Sequence, residues 1–303
     1  MLAILTGLAG WILPAAICGA DTNYLNGVRD FSDLVRRVEM ESRDGIRRNK
    51  DGAVEFVALD VANDDSLILI SREPSVRALT CIWPRCTDRG MSALEQMTNL
   101  TSLVIVRTNA LPTVSKLTQL RTLNLMCTRM KPADLPCLIK LTNLEVLDVW
   151  GTWEMGTNCI SAMTNFTHLR KLIIGGGGDR RADSITYFRT NGYESATNWD
   201  GWRNPEAGEF TALTNLTSLE ELRISSFTNF GDQQLRLLNS LPKLKSLELK
   251  ETRVSKNWSN IVSHFPALTN AVAWLPVDTE ENTIEAHKWV RNSVVKQTEP
   301  NGK

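Results

Sequence analysis

The side chains that most often carry catalysis or bind metals are few in this chain and far apart in its sequence. Among 303 residues there are three histidines, and none stands at a recognised spacing from a nucleophile or a second ligand. These histidines are His168, His264 and His287. Cys127, Cys137 and Cys159 also lack the spacing of a metal site. We therefore predict no catalytic residue, no metal site and no cofactor.

The run of four glycines from Gly175 to Gly178 is the one segment that looks like a phosphate-binding loop. Such a loop leads into a helix and usually carries a lysine, and the residues after Asp179 supply neither feature. We predict instead that these glycines end a strand and leave room for the segment that follows.

Acidic side chains are frequent in that segment, residues 178–209. An enzyme could use Asp179, Asp183, Glu194 or Asp200 there, together with an arginine. Acid–base catalysis needs its groups at a useful fixed distance, and no helix or strand pattern fixes a pair here. An enzyme of the hydrolase kind is therefore the second hypothesis.

The same segment is also rich in aromatic side chains, and two interpretations of them stay open. Its rings are Tyr187, Phe188, Tyr193, Trp199 and Trp202. They could grip a ligand, because binding residues often lie on loops that a rigid scaffold positions. They could equally pack on one another in an Ω-loop.

A recurring frame of aliphatic residues sets the positions of all these groups. In residues 117–128 the frame is Leu117, Leu120, Leu123 and Leu125, closed by Thr128. It recurs at residues 97–108, 141–152, 216–227 and 241–252, and in weaker form from residue 76. From Leu172 to Leu222 the distance is 50 residues, twice the usual step, so residues 178–209 are read as an insertion. Repetition at this period predicts a solenoid.

Each frame predicts one short strand and a return segment. Leu123 and Leu125 alternate with Thr122 and Asn124, so the leucines face the core and their neighbours face outward. Parallel strands then form an inner sheet, and the return segments form short helices or turns outside it. We predict that the closing threonines satisfy backbone groups where the chain leaves each strand.

These units resemble the leucine-rich repeat family in its bacterial, internalin-like or planctomycete-type forms. The phrases LTNLTSL at 213–219 and MTNLTSL at 97–103 carry the resemblance, and Thr87 to Met91 (TDRGM) is similar to the motif that opens the outer helix. The resemblance implies an α/β fold, a curved solenoid with a parallel inner β-sheet and short helices or turns outside, over residues 76–275. It implies a fold more than a function.

The segments that flank the repeats have their own patterns. Residues 1–20 carry no charged side chain and end in small residues before Asp21. This pattern is typical of an export signal cleaved near Ala20, although a retained anchor stays open. Residues 21–75 are predicted to form an N-terminal cap with a helix between Asp30 and Glu41 and a strand over 54–61. Residues 276–303 are predicted to form a C-terminal capping helix and a tail.

Outward positions of the inner sheet give a candidate binding surface. The first outward column, one residue after the second core position, contains Ile82, Val106, Met126, Trp150, Gly175, Ser225 and Lys250. The second outward column, the next residue along, contains Trp83, Arg107, Cys127, Gly151, Gly176, Ser226 and Glu251. Four apolar residues in succession on a wet face favour a binding site. Alternatively, the cap or the insertion folds over them.

The two cysteines nearest the cap, Cys81 and Cys86, both fall at inward positions. Buried thiols are the ordinary state of such residues. Export to an oxidising compartment would allow a disulfide instead, and both states stay open.

The function hypothesis is an exported, non-enzymatic binding scaffold, in the periplasm, at the cell surface or outside the cell. Its candidate residues are Ile82, Trp83, Val106, Arg107, Met126, Asp148 and Trp150, with Trp199 and Trp202 in second place. The partner is a protein or a surface glycan bound by the concave sheet. Nucleic acid is not expected, because 34 basic residues balance 34 acidic ones. A structural envelope protein, in which the apolar stripe meets a second copy, is the third hypothesis.

Overall fold

The computed structural model describes residues 24–42, 44–82, 85–105, 110–125, 135–150, 159–175, 205–276 and 284–290. They divide between two compact units. Unit 1 contains Met1–Arg129 and Pro136–Val146, and unit 2 contains Met130–Leu135 and Leu147–Lys303. The predicted export signal and most of the insertion lie outside the described residues.

Unit 1 alternates strands with short helices. Its elements are α1 (Phe31–Glu41), β1 (Ile46–Arg48), β2 (Val54–Leu59), α2 (Asp64–Ser71), β3 (Ala78–Cys81), α3 (Asp88–Ala93), β4 (Ser102–Ile105), α4 (Leu111–Val114) and β5 (Thr122–Asn124). Helix α5 (Leu135–Leu138) follows at a unit boundary. A helix and a strand therefore stand where the sequence predicts them, at 31–41 and 54–59.

Unit 2 continues the same alternation. Its elements are β6 (Val146–Trp150, with Val146 counted in unit 1), α6 (Cys159–Ala162), β7 (Lys171–Gly175), β8 (Glu221–Ser225), α7 (Asp232–Leu237), β9 (Ser246–Lys250), α8 (Trp258–Val262), β10 (Asn270–Pro276) and β11 (Ile284–Val290). Short 3₁₀ helices replace or extend several α-helices, and the longest among the described residues is Ala207–Asn215.

Parallel pairing aligns the recurring leucines within each unit. In unit 1, Leu79 lies opposite Leu103 and Leu103 opposite Leu123. In unit 2, Leu172 lies opposite Leu222 and Leu222 opposite Leu247. All six side chains are at most 1% exposed. Each such burial contributes roughly 1.5–3 kcal/mol, so the aligned leucines are the main stabilising feature of both units.

Hydrogen bonds of one recurring kind also join successive repeats on the helix side. Asp64, at the start of α2, accepts hydrogen bonds from Thr87 N at 2.7 Å, Thr87 Oγ1 at 2.6 Å and Gly90 N at 3.1 Å. Burial acts to raise the pKa of Asp64, but the hydrogen bonds from Thr87 and Gly90 outweigh it and lower that pKa overall. A side chain at Gly90 would lie 2.4 Å from Asp64 Oδ1. These contacts explain the threonine and the glycine of the TDRGM motif.

The hydrogen bonds from a threonine or serine to an aspartate of the preceding repeat, which we call the clip, recur in unit 2. The clip therefore belongs to the repeat. Asp232, at the start of α7, accepts hydrogen bonds from Ser255 N at 2.8 Å and Ser255 Oγ at 2.6 Å. In both units the carboxylate and its hydroxyl partner are 23 residues apart. One acidic side chain thus holds the backbone that opens the next return segment.

Asparagine in the repeat phrase links repeats in a second way. Asn99 Nδ2 donates to the carbonyl of Pro74 at 3.0 Å, and Asn143 Nδ2 donates to that of Thr118 at 2.9 Å. Each donor reaches 25 residues back along the chain. The asparagine of the repeat phrase is therefore explained by contacts within the fold in these two repeats.

Two expectations about the repeat ends are wrong at the residues that the structure describes. Residues 284–290 form strand β11 rather than a capping helix, and they pair antiparallel with β10 from Asn270–Val290 to Pro276–Ile284. The edge of β10 supplies main-chain partners that helical spacing cannot reveal. At Thr252, the closing threonine whose surroundings the structure describes, Oγ1 is buried without a hydrogen-bond partner rather than satisfying the turn.

An ion-pair network at the amino ends of the strands spans three repeats of unit 2. Glu220 accepts from Arg170 Nε and from Lys245 Nζ, both at 2.8 Å. These two hydrogen bonds lower the pKa of Glu220 from its usual 4.5 to about 2.

Across the described ranges, no helix is both long and apolar enough to cross a membrane.

Replacing Asp64 by alanine is expected to lower the free energy of unfolding by about 1–3 kcal/mol, because Thr87 and Gly90 lose a charged acceptor. Asp65→Ala is the matched control. Its carboxylate is 72% exposed and lies 3.8 Å from Arg89, so its loss should be close to neutral. Urea unfolding monitored by circular dichroism measures both. Equal losses in the two variants would contradict the clip.

The Glu220 network predicts a defined pH dependence. Because the folded pKa lies below the unfolded one, its contribution is fully present above pH 4.5 and disappears as the pH falls towards 2. Glu220→Gln should therefore be less stable than the parent by about 1–2 kcal/mol at pH 6, with the difference closing between these two values. Glu95→Gln, which breaks one exposed pair with Lys116, is the control and should show a smaller change. A difference independent of pH would refute the assignment.

Candidate binding face

The structure describes three of the nine candidate residues. Ile82, Asp148 and Trp150 are among them. The other six, Trp83, Val106, Arg107, Met126, Trp199 and Trp202, lie outside the described residues and stay predictions. Ile82 lies in unit 1, and Asp148 and Trp150 lie in unit 2.

In unit 1 the described outward face carries both apolar and uncharged polar side chains. Ile82 follows β3, is half-buried, and donates its backbone N–H to the Leu59 carbonyl at 3.2 Å. Val104 and Asn124 are also half-buried on this face, while Thr80 is 8% exposed. Ile82 is thus placed where a partner could reach part of its side chain.

Asp148 does not present an exposed carboxylate, which contradicts our use of it as a direct contact. It is 4% exposed, and its Oδ1 accepts a hydrogen bond from the Trp150 backbone N–H at 3.0 Å. The side chain folds back over its own strand because that N–H lies two residues further along. Asp148 therefore positions Trp150 rather than offering itself to a ligand.

Trp150 lies at the end of β6 and is half-buried. Its neighbour on this face is Gly175, the last residue of β7. A Cβ placed at Gly175 would come within 2.8 Å of Trp150 Cδ1, 2.9 Å of Ser225 Cβ and 3.0 Å of the Ser225 carbonyl oxygen. The indole therefore rests where a side chain at residue 175 would be. The absent side chain at the first of the four glycines makes room for this ring.

Paired charges also lie on the outward face of unit 2, at other rows of the strands. Lys171 Nζ lies 2.8 Å from Glu221 Oε2, and Arg223 Nε lies 3.0 Å from Glu248 Oε2. Lys171 is the unusual member, because its side chain is only 8% exposed. Burying an ammonium group requires a partner, and Glu221 on the neighbouring strand supplies it. Arg223 and Glu248 keep over a third of their side-chain surface exposed, at 41% and 35%.

The turn after each of two strands holds a non-glycine residue in the left-handed region. Ser226 has φ of 60° and Glu251 has φ of 53°. The Ser226 backbone N–H donates to the Lys250 carbonyl at 2.8 Å, and Ser226 Oγ donates to Glu251 Oε2 at 2.6 Å. Each such conformation costs roughly 1–3 kcal/mol. A hydrogen bond to a charged group returns about 1.5–3 kcal/mol, so the pair gives little net stability.

The sequence contained a signal for this strained position that our reading of the columns did not use. Ser226 and Glu251 belong to the second outward column, where two earlier repeats carry Gly151 and Gly176. Glycine is the residue that tolerates positive φ without a penalty. Two glycines in one column therefore indicate a left-handed turn at that position in the neighbouring repeats.

A second tryptophan lies in register with Lys250 at the carboxyl end of unit 2. Trp274 on β10 lies opposite Lys250 on β9 and is half-buried. Its indole N–H is buried without a hydrogen-bond partner. The first outward column of unit 2 thus has an aromatic ring on β6 and another on β10, with Ser225 and Lys250 between them.

The reactive side chains that the sequence singled out are held in ordinary structural roles. Cys81 and Cys86 are buried and form no disulfide, and burial raises the pKa of Cys81. Cys86 Sγ donates to the Ala62 carbonyl at 3.4 Å, and His264 Nδ1 lies 2.8 Å from the Asn260 carbonyl. Within the ranges given above, no three His, Cys, Asp or Glu side chains are grouped to hold a metal.

Comparison with known proteins identifies the repeats. A family model described as a leucine-rich repeat region matches residues 75–283. The crystal structure of internalin C2 from Listeria monocytogenes is 20% identical, with a TM-score of 0.48, over 72% of this chain and 79% of that one. The internalin InlF from the same species is 16% identical, with a TM-score of 0.43, over 68% and 56%. No curated protein sequence matches the chain.

The packing of Trp150 on Gly175 is tested by adding one methyl group. Gly175→Ala should displace the indole and lower the free energy of unfolding by about 1–3 kcal/mol, because the Ser225 backbone also blocks the methyl. Gly208→Ala is the control, since nothing lies within 4 Å of its Cβ position. Near-UV circular dichroism and urea unfolding measure both effects. An unchanged spectrum for Gly175→Ala would show that the ring lies elsewhere.

Proposed function

This chain belongs to the leucine-rich repeat family, and we propose that it is a non-enzymatic scaffold that binds a protein through the outward face of its strands. The binding residues proposed in unit 2 are Trp150, Arg223 and Lys250, with Asp148 as a positioning residue. Ile82 is the described candidate in unit 1. The export that residues 1–20 predict is part of the same proposal.

The observation that carries this proposal is the half-buried Trp150 on the outward face of a rigid sheet. Its backbone is held by Asp148 and its ring rests on Gly175. Little conformational entropy of the ring would therefore be lost when a partner covers the rest of it. Tryptophan and arginine are the side chains that most often dominate protein interfaces.

The charges on the outward face of unit 2 favour a protein as the partner. An aromatic centre with a polar, partly wet rim is the usual composition of a protein interface. Arg223 and Glu248 supply such a rim. Their side chains are paired with each other and still 41% and 35% exposed. Their pairing also gives a partner two opposite charges at a fixed separation, which supports selectivity more than affinity.

The enzyme and envelope hypotheses keep distinct expectations. The enzyme hypothesis needs a site in residues 178–209, most of which lie outside the described residues. The envelope hypothesis needs a second copy of the chain to cover Trp150. The enzyme hypothesis predicts turnover of the captured molecule. The envelope hypothesis predicts a stable dimer in sedimentation.

Trp150→Ala is expected to reduce capture of the partner at least tenfold, while the melting temperature falls by no more than about 4 °C because the ring is only half-buried. The purified chain is immobilised, exposed to protein from its source organism, and the retained proteins are quantified by mass spectrometry. Leu237→Ala is the control, because Leu237 is exposed on helix α7.

The result decides between the candidate partners. Loss with Trp150→Ala and retention with Leu237→Ala supports the proposal. Capture that survives digestion of the sample by protease but not removal of its glycans would assign the face to a glycan instead. A large fall in melting temperature for Trp150→Ala would make the ring part of the core.

A further inference from the structure

The second outward column of unit 2 presents a carboxylate whose position is fixed before any partner arrives. Glu251 Oε2 accepts the hydrogen bond from Ser226 Oγ at 2.6 Å, and the glutamate side chain keeps 27% of its surface exposed. Its other oxygen, Oε1, lies 3.9 Å from Lys250 Nζ, which is beyond hydrogen-bonding distance. One oxygen is thus used to hold the group, and the other has accepting capacity left.

Folding alone does not account for a glutamate at this position. Both Ser226 and Glu251 have positive φ, where glycine would be unstrained, and two earlier repeats place Gly151 and Gly176 in this column. The hydrogen bond between the two side chains offsets the strain without clearly exceeding it. A glycine pair would therefore serve the turn about as well and would leave no carboxylate on the face.

We propose that Glu251, held by Ser226, is the acceptor for a basic side chain of the partner protein. This inference rests on the proposed function and names the partner's chemistry at one point of that face. A fixed carboxylate loses little freedom when it receives an arginine or lysine donor, so the pair gains more than two flexible charges would. Ser226 is then a positioning residue and Glu251 a contact residue.

The position of Glu251 fits a single partner segment that also reaches Trp150. Strand β6 carries Trp150, and β9 ends one residue before Glu251. Three strand spacings separate the two strands, or about 14 Å. An extended peptide covers that distance with about five residues, so one short segment can place an apolar group on the ring and a basic group at the carboxylate.

The test uses a phage-displayed library of random twelve-residue peptides, selected on the full purified chain. Selected peptides are expected to carry lysine or arginine. Glu251→Gln should weaken their binding at least tenfold, and Ser226→Gly should weaken it several-fold because the charge stays but its position is lost. Glu95→Gln is the control, since that carboxylate lies in the return segment Leu94–Gln96 and pairs with Lys116, and it should change binding less than twofold.

A double-mutant cycle assigns the contact. Replacing the basic peptide residue by glutamine should cost the same factor as Glu251→Gln, and the two changes together should cost little more than either alone. The melting temperature of Glu251→Gly should stay within about 2 °C of the parent, because strain and hydrogen bond are removed together. A larger fall would make the pair a structural clip and overturn the inference.

The remaining outcomes separate this inference from the proposed function. Peptides that lack a basic residue, or that bind Glu251→Gln as well as the parent, overturn the role of Glu251. If those peptides still fail to bind Trp150→Ala, the face remains a protein-binding face. If they bind Trp150→Ala unchanged, or if no peptide is enriched, both the inference and the proposed function are contradicted.

Discussion

Inward aliphatic side chains in each repeat are buried only by the equivalent side chains of the repeats on either side. Leu222 has Leu172 on one neighbouring strand and Leu247 on the other, and no single repeat could exclude water from its own leucines. This constraint fixes the period, the parallel pairing and the inward alternation together. The hydrogen bonds of Asp64, Asp232, Asn99 and Asn143 act on the same scale, because each joins a residue to one about 23–25 positions away.

The same constraint leaves the outward positions free to differ between repeats. Leucine recurs at 172, 222 and 247, whereas the residue that follows it is Ile173, Arg223 or Glu248. Neighbouring outward residues then interact with each other, as Arg223 does with Glu248 and Lys171 with Glu221. The outward face of unit 2 is therefore formed by side-chain pairs between adjacent strands. The leucine core beneath them does not depend on these pairs. Residues of this kind are where selection for a partner can act without loss of the fold.

The sequence predicted the frame well because periodic patterns report the core directly. The leucine columns, the helix at Phe31–Glu41 and the strand at Val54–Leu59 all follow from local spacing. Strand β11 did not, because Ile284, His287 and Val290 fit a helical spacing and only the free edge of β10 decides for a strand. The burial of Asp148 was also out of reach, since it depends on how the side chain turns back to its own backbone. The contact between Trp150 and Gly175 was within reach, because the register alone makes them neighbours.

Side-chain choice at a strained turn separates the requirements of folding from those of binding. The backbone enters the left-handed region where it leaves β8 and β9, at Ser226 and Glu251. Glycine meets that requirement with the least strain, so any other residue there needs a compensating interaction. The hydrogen bond from Ser226 Oγ to Glu251 Oε2 is that interaction here. What the pair adds over two glycines is an ordered carboxylate on the outward face.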